Sequence, residues 1–247
     1  MKSLNKALDI IDAVSKLGSA GIRDISSMTG FPSTTVHRIA ATLVKRQYFN
    51  QDPVTKNYSL SLRFLELGTI VQQQSDLPTI ARPHLQKLMT ETGESANLAI
   101  WDGDSVVYLE QVQSNKSILK TFTQLGTRVP FYSTGVGKML LSQWSRTELD
   151  AYLKRTKLIP HTPNTLVNRS KILKELEQIS TRGFSVDDEE MEAGVRCVAA
   201  LVFDHRQQVV AAISISGAAM RITPERIEDL GKKVKHCALD ISRDLGF

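Results

Sequence analysis

Leu4, Leu8, Ile11, Val14 and Leu17 recur at steps of three and four, the spacing of one apolar stripe on a helix that ends near Gly18 and Gly21. A shorter segment follows, with Ile22, Ile25 and Met28 at spacing three before Gly30, a residue suited to a left-handed helix end. Pro32 cannot continue that helix, and Ser33 is a favoured N-cap for a third. Around the third helix, taken at about 100° per residue, Val36, Ile39, Ala40 and Leu43 share a packing face, while Thr34, Thr35, Arg38, Ala41, Thr42 and Lys45 fall opposite. Tyr48 and Phe49 then lead into an Asp52-Pro53 turn and Tyr58 and Leu60 lead out of it, a hairpin with Lys56 near its tip. Three helices and a hairpin predict a winged helix-turn-helix over residues 1–61. Leu62, Leu65, Ile70 and Val71 continue a helical pattern into a glutamine run, a linker helix over 62–76 that is either a plain connector or carries a dimer contact.

From residue 77 the pattern becomes mixed. A helix through "TIARPHLQKLMTETG" is expected to start just before Pro83, followed by two strands around Asp102-Gly103-Asp104. "GFSVDDEE", "VRCVAALVFD" and "QVVAAISISGA" read as further strands, the last two joined by a hairpin at "HRQQ". Thr223 is expected to cap a closing helix from Pro224 to about Leu245. The fold class is therefore two-domain: a mainly α winged helix-turn-helix, then an α+β domain over 77–247 with an antiparallel sheet flanked by helices.

Composition narrows the function. Hydrophobic residues at 41% and charged residues at 23% are ordinary for a globular chain and exclude disorder. No apolar run approaches the roughly 20 residues of a membrane span, and Asp9 and Asp12 interrupt the amino terminus, unlike a signal peptide, so a cytoplasmic location is expected. Cys197 and Cys237 suit reduced thiols rather than a disulfide framework. His84, His161, His205 and His236 show no ligand spacing, so neither a metal nor a cofactor is expected.

Charge is asymmetric. Up to residue 75, Lys2, Lys6, Lys16, Arg23, Arg38, Lys45, Arg46, Lys56 and Arg63 stand against Asp9, Asp12, Asp24, Asp52 and Glu66, which places most of the net +5 in the amino-terminal part. No acidic residue occurs from Ile25 to Gln51. A merely solvated helix face would more often mix Glu with Lys. Small residues beside long donors suit close approach to a major groove, so Thr34, Thr35 and Arg38 are the candidates for base edges and Ser33, Lys45 and Lys56 for phosphates of double-stranded DNA.

The series "STTVHRIAATLVKRQYF…NYSLSLRFLELG", "RVPFYSTGVGKMLLS" and "GFSVDDEEMEAGVRCVAALVFD…VVAAISISG" resembles, over essentially the whole chain, the IclR family of bacterial transcription regulators. The resemblance implies a GAF-like effector-binding domain behind the winged helix, binding to an inverted-repeat operator as a homodimer or tetramer, and modulation by a small organic acid. It also implies a pocket. The loop "STGVGK" would supply the amides of Gly135 and Val136, Asp187 an acidic group and Cys197 a lining thiol, with Ser214 and Ser216 on one side of a strand. Val136 stands where family members often have alanine. "NYSLSLRFLELG" and "RVPFYSTGVGKMLL" look closest to the branch that senses sugar acids such as 2-keto-3-deoxygluconate, which favours a hydroxylated or keto carboxylate, with aromatic acids as runner-up.

Each pocket residue also has a plainer reading. Cys197 suits a small buried hydrophobe as well as a ligand contact, Ser214 and Ser216 suit strand neighbours, and Asp187 sits in "DDEE", an acidic turn by default. Arg196 has two candidate partners, Asp187 or a ligand carboxylate. An enzyme using Cys197 with His205 or Asp187 lacks a complete nucleophilic set, so a repressor without catalytic residues is the expected function. A DNA-binding protein with a ligand-free dimerisation domain is the remaining alternative.

Overall fold

The computed structural model describes residues 2–73, 76–115 and 124–247, and its chain divides into two compact units, Met1–Ser75 and Asp76–Phe247. Gln74 and Ser75 of the expected linker fall outside the described residues. In the first unit, α1 (Lys2–Leu17), α2 (Ile22–Thr29) and α3 (Ser33–Lys45) pack around a core of Ile10, Val14, Ile25, Val36, Ile39, Phe49 and Tyr58. A three-stranded sheet completes it, in the order β1 (Ser19–Ala20), β3 (Tyr58–Leu60), β2 (Phe49–Gln51). β1 has no counterpart in the sequence reading, because two residues are too short to show a period.

Local chemistry sets the turns. Gly30 ends α2 at φ 70° and donates to Ser26 O, the left-handed end expected there. The cap of α3 differs from the expectation. Pro32 occupies it in an extended conformation, its carbonyl accepting from Thr35 N and Val36 N, and Ser33 is the first helical residue. The apolar stripe of α1 is also rotated from its expected position. Ile10, Ala13 and Val14 are buried, whereas Leu4, Leu8 and Leu17 stay exposed, as does Met28 on α2. α4 (Arg63–Gln73) follows the wing, with Tyr48 and Phe64 meeting edge to face at 5.5 Å between ring centroids.

The second unit opens with α5 (Leu77–Thr92), which contains Pro83 rather than starting beside it. Pro83 lies on the solvent side while Ala81, Leu85 and Leu88 are buried, so water can solvate the carbonyl that the proline cannot bond. β4 (Ser95–Asp102), β5 (Ser105–Val112), β6 (Arg128–Val129), β7 (Ser185–Asp188), β8 (Val195–Phe203) and β9 (Val209–Ala218) form one antiparallel sheet in the order β6-β5-β4-β9-β8-β7. Three helices, α6 (Gly135–Leu141), α7 (Arg146–Arg155) and α8 (Arg169–Arg182), lie between β6 and β7 in the chain. The closing helix opens with a 3-10 turn at Pro224–Arg226 without a hydroxyl cap from Thr223, and continues as α9 (Ile227–Asp244).

The two faces of this sheet differ, and the pairing register shows how. Leu98, Val198, Ala200, Ile213 and Ile215 point to one side and pack against Leu85 and Leu88 of α5 and Leu230, Val234 and Ile241 of α9. Side chains alternate along a strand, so the residues between them share the other side. There Asp187, Cys197, Ser216 and Ser95 stand in one row across four strands, Ser185, Ala199, Ser214, Asn97 and Gln111 in the next, and Ala212, Ala99 and Tyr108 in a third. α6 packs over this second face, on β7, β8 and β9.

Candidate nucleic-acid interface and effector site

On α3 the buried face is Val36, Ile39 and Ala40, with Leu43 half-buried. Ser33, Thr34, Arg38, Thr42 and Lys45 are exposed and Thr35 is half-buried, so the hydroxyl and cationic positions do gather on one outward surface. Among the described residues no carboxylate comes within ion-pair distance of Arg38, Lys45 or Lys56. Lys56 sits at the wing tip at φ 60°. The turn beneath it is built by Asp52, whose Oδ1 accepts from Val54 N at 2.9 Å and Thr55 N at 2.6 Å. Those backbone bonds favour the ionised carboxylate and hold Asp52 below its ordinary pKa.

In the second unit the start of α6 lies against the polar face of the sheet. Thr134 caps the helix, its Oγ1 accepting from Gly137 N at 3.2 Å, and Lys138 N bonds to Thr134 O. The amides of Gly135 and Val136 precede both bonds and are the uncapped donors of the first turn. Ser185 Oγ donates to Gly135 O at 2.6 Å and ties this turn to β7. A Cβ at Gly135 would lie 3.5 Å from Cys197 Cβ and 3.7 Å from Ala199 Cβ, so the glycine faces the sheet directly.

Gly135, Asp187, Cys197 and Ser216 are thus neighbours, with Ser214 one row further along β9, while the Val136 side chain joins the apolar cluster of α6. Asp187 is 1% exposed and Cys197 5%. Asp187 Oδ1 accepts from Glu190 N at 2.7 Å, yet burial outweighs this and pushes the carboxyl up to about 7. Burial likewise drives the Cys197 thiol well above its ordinary pKa, with the neighbouring Asp187 adding to the effect. An activated nucleophile needs the opposite shift. His205 lies in the β8–β9 turn.

Arg196 is on the other side of β8, away from Cys197. Its Nε donates to Asp188 Oδ1 at 2.7 Å and its Nη1 to Ala219 O at 3.0 Å and to Ile222 O, so the guanidinium is committed to protein partners. Four further groups stand out only in the structure. Asn97 and Gln111 share a row with Ser214, Tyr108 lies close enough to Asp187 and Cys197 for their charges to act on it, and Lys138 is buried against Glu190. Asn97 alternates with Ala96 and Leu98, which is the one signal the sequence carries for it.

A family model for the IclR helix-turn-helix domain matches residues 3–53, and one for the C-terminal domain of the bacterial transcriptional regulator IclR matches residues 69–243. The chain belongs to the IclR family. This IclR-family regulator is 34% identical over 247 residues to the HTH-type transcriptional repressor AllR of Escherichia coli strain K12, covering 100% of this chain and 91% of AllR. The Thermotoga maritima IclR structure is 35% identical, with a TM-score of 0.80 and full coverage of both chains. An IclR homologue from Microbacterium hydrocarbonoxydans, solved in complex with 4-hydroxybenzoate, shares the fold at a TM-score of 0.84, with 19% identity and 98% of each chain covered. The IclR-family regulator is thus a DNA-binding transcription regulator, not an enzyme, and among its described residues no helix is long and apolar enough to cross a membrane.

Asp187 of the IclR-family regulator has a measurable signature. Between its ordinary value of 3.8 and about 7, the folded chain holds a proton that the unfolded chain has lost. Stability is therefore fully present below the lower value and falls as pH rises through the upper one. Asp187→Asn removes this ionisation while keeping an oxygen for the Glu190 amide. Thermal midpoints of the two proteins are expected to agree near pH 4 and to draw apart as pH rises toward about 7, the variant being the more stable above it. Parallel curves would refute the assignment.

Proposed function

We propose that this regulator is a repressor that binds an inverted-repeat operator as a homodimer or tetramer and responds to a small carboxylate in its second unit. The sheet face under α6 carries the reading: Asp187, Asn97, Ser214 and Ser216 are all at most 2% exposed on a sheet whose other face is aliphatic. Buried polar groups are costly unless fully hydrogen-bonded, and among the described residues the two serine protons have no acceptor, which argues against a purely structural dimerisation domain. The uncapped amides of Gly135 and Val136 suit a carboxylate, and Asp187, whose backbone lies beside Gly135, suits a hydroxyl of the same ligand. A sugar acid or 2-keto acid has both. An aromatic hydroxy acid is the second reading, favoured by the 4-hydroxybenzoate bound to the Microbacterium hydrocarbonoxydans homologue.

For self-association, Leu4 and Leu8 on one side of α1, with Leu62 and Leu65 after the wing, are exposed apolar side chains that a second copy would cover. Fluorescence anisotropy on the DNA upstream of the gene, at one salt concentration, tests the whole reading. Two chains per inverted repeat and a shift by one acid of a sugar-acid, keto-acid and aromatic-acid panel are expected; operator binding that no acid moves would leave a regulator without this effector site. On the same DNA, Arg38→Ala is expected to cost about 1–3 kcal/mol and to relax specificity, whereas Lys56→Ala weakens operator and random DNA alike. Equal losses on both DNAs for Arg38→Ala would refute its base contact.

A further inference from the structure

The serines of β9 sit at the end of a directional chain of hydrogen bonds. Gln113 Nε2 donates to Gln111 Oε1 at 3.2 Å, and Gln111 Nε2 donates to Asn97 Oδ1 at 3.0 Å. Asn97 Nδ2 then donates to Ser214 Oγ at 3.2 Å and to Ser216 Oγ at 3.0 Å. A carboxamide nitrogen has two protons, and Asn97 uses one on each serine. Each serine oxygen is therefore an acceptor toward Asn97, and its own proton points elsewhere. Among the described residues no acceptor takes either proton. Both hydroxyls are 2% exposed, on the side of the sheet that α6 covers.

We propose that Gln111 and Asn97 are positioning residues that fix Ser214 and Ser216 as hydrogen-bond donors, so that this end of the effector site selects an anionic acceptor such as a carboxylate over a neutral amide. The inference rests on the effector reading above and deepens it. Asp187, in the row of Ser216 but two strands away, is about 10 Å off across the sheet, and its backbone lies beside Gly135 at the start of α6. A carboxylate is stabilised by several donors and has none to offer in return, whereas an amide brings an N–H that would meet a serine proton head on.

The chain can be reversed at Gln111, one strand beyond Asn97 and two from the serines. Glutamate at position 111 only accepts, so Asn97 must turn its nitrogen toward it and present Oδ1 to the serines, which then donate to Asn97 and offer lone pairs to the ligand. Gln111 is half-buried, so the charge keeps contact with water. Methionine at the same position removes the bond to Asn97 without imposing either direction.

The test is calorimetric titration of the full chain with three acid and amide pairs: gluconate and gluconamide, pyruvate and pyruvamide, 4-hydroxybenzoate and 4-hydroxybenzamide. Wild type is expected to favour the acid of at least one pair by tenfold or more. Gln111→Glu should shift that preference tenfold or more toward the amide, with Gln111→Met falling between. A structural defect would lower both affinities together and leave their ratio unchanged. An acid preference that survives Gln111→Glu overturns the inference and leaves the effector reading standing. A wild type that binds none of the three acids, or binds acid and amide equally, overturns the carboxylate reading and the inference with it.

Discussion

Lys138→Met is expected to destabilise the second unit by about 3–5 kcal/mol at neutral pH, the cost of leaving one partner of a buried ion pair without the other. Lys138 is 1% exposed, and its Nζ bonds to Glu190 and lies 3.8 Å from Glu175. Glu175 has a second cation in Arg182 at 2.8 Å, but among the described residues Glu190 has none, and its Oε2 is buried without a partner there. Burial already raises the Glu190 carboxyl, and Lys138 is the largest influence holding it down. Without the lysine the carboxyl goes higher still. The folded variant then keeps a proton that its unfolded chain gives up, so its deficit grows as pH rises and shrinks toward about pH 5. Lys138→Met combined with Glu190→Gln should be more stable than Lys138→Met alone, because no buried charge is left unpaired. Trp101 and Trp144 both belong to the second unit, so tryptophan fluorescence in a denaturant series follows that unit selectively. Equal losses in the single and double variants would show that packing of the lysine stem, not charge, sets the stability.

Lys138 also marks the limit of what periodicity reveals. The helices of the first unit, the wing hairpin and the long strands of the second follow from spacing, helped by Gly18 after α1, Gly30 after α2 and Pro53 in the wing turn. The face of α1 did not follow. Leucines share its three- and four-residue spacing with Ile11 and Val14, and nothing local tells a leucine that packs inward from one left exposed, so the spacing points to Leu4 and Leu8 where Ile10 and Ala13 form the core. The cap at Pro32 was missed for a different reason. Ser33 is the better capping side chain, but the extended backbone of Pro32 already presents its carbonyl to Thr35 and Val36. In the effector site, the residues legible by resemblance lie on α6, β7, β8 and β9. Asn97 and Gln111 were not legible, since they matter only through cross-strand register, which joins positions 97, 111 and 214 and leaves no mark in any one segment. Arg196 was open to two partners until alternation along β8 turned it to the opposite face from Cys197.

The two glycines that open α6 are expected to separate folding from effector sensing. A Cβ at Gly137 would stand 2.3 Å from Phe131 O, 2.4 Å from Phe131 Cα and 2.6 Å from Thr134 Oγ1. Two of those atoms are backbone and the third is the cap itself, so Gly137→Ala must displace the turn before the helix. Overpacking of this kind costs about 1–3 kcal/mol, and a lost cap adds about 1 kcal/mol. At Gly135 the same methyl would meet Cys197 and Ala199 at ordinary contact distances, and the residue has no left-handed backbone to strain. Gly135→Ala should therefore fold with a thermal midpoint close to wild type. On the proposed effector reading, its methyl would fill the space between the start of α6 and Cys197, beside the amides offered to a carboxylate. Operator binding should persist in this variant while the response to acid is lost. A Gly135→Ala protein that keeps its acid response would place the ligand elsewhere in the second unit, and a Gly137→Ala protein as stable as wild type would mean that the turn at Phe131 yields more easily than its backbone contacts imply.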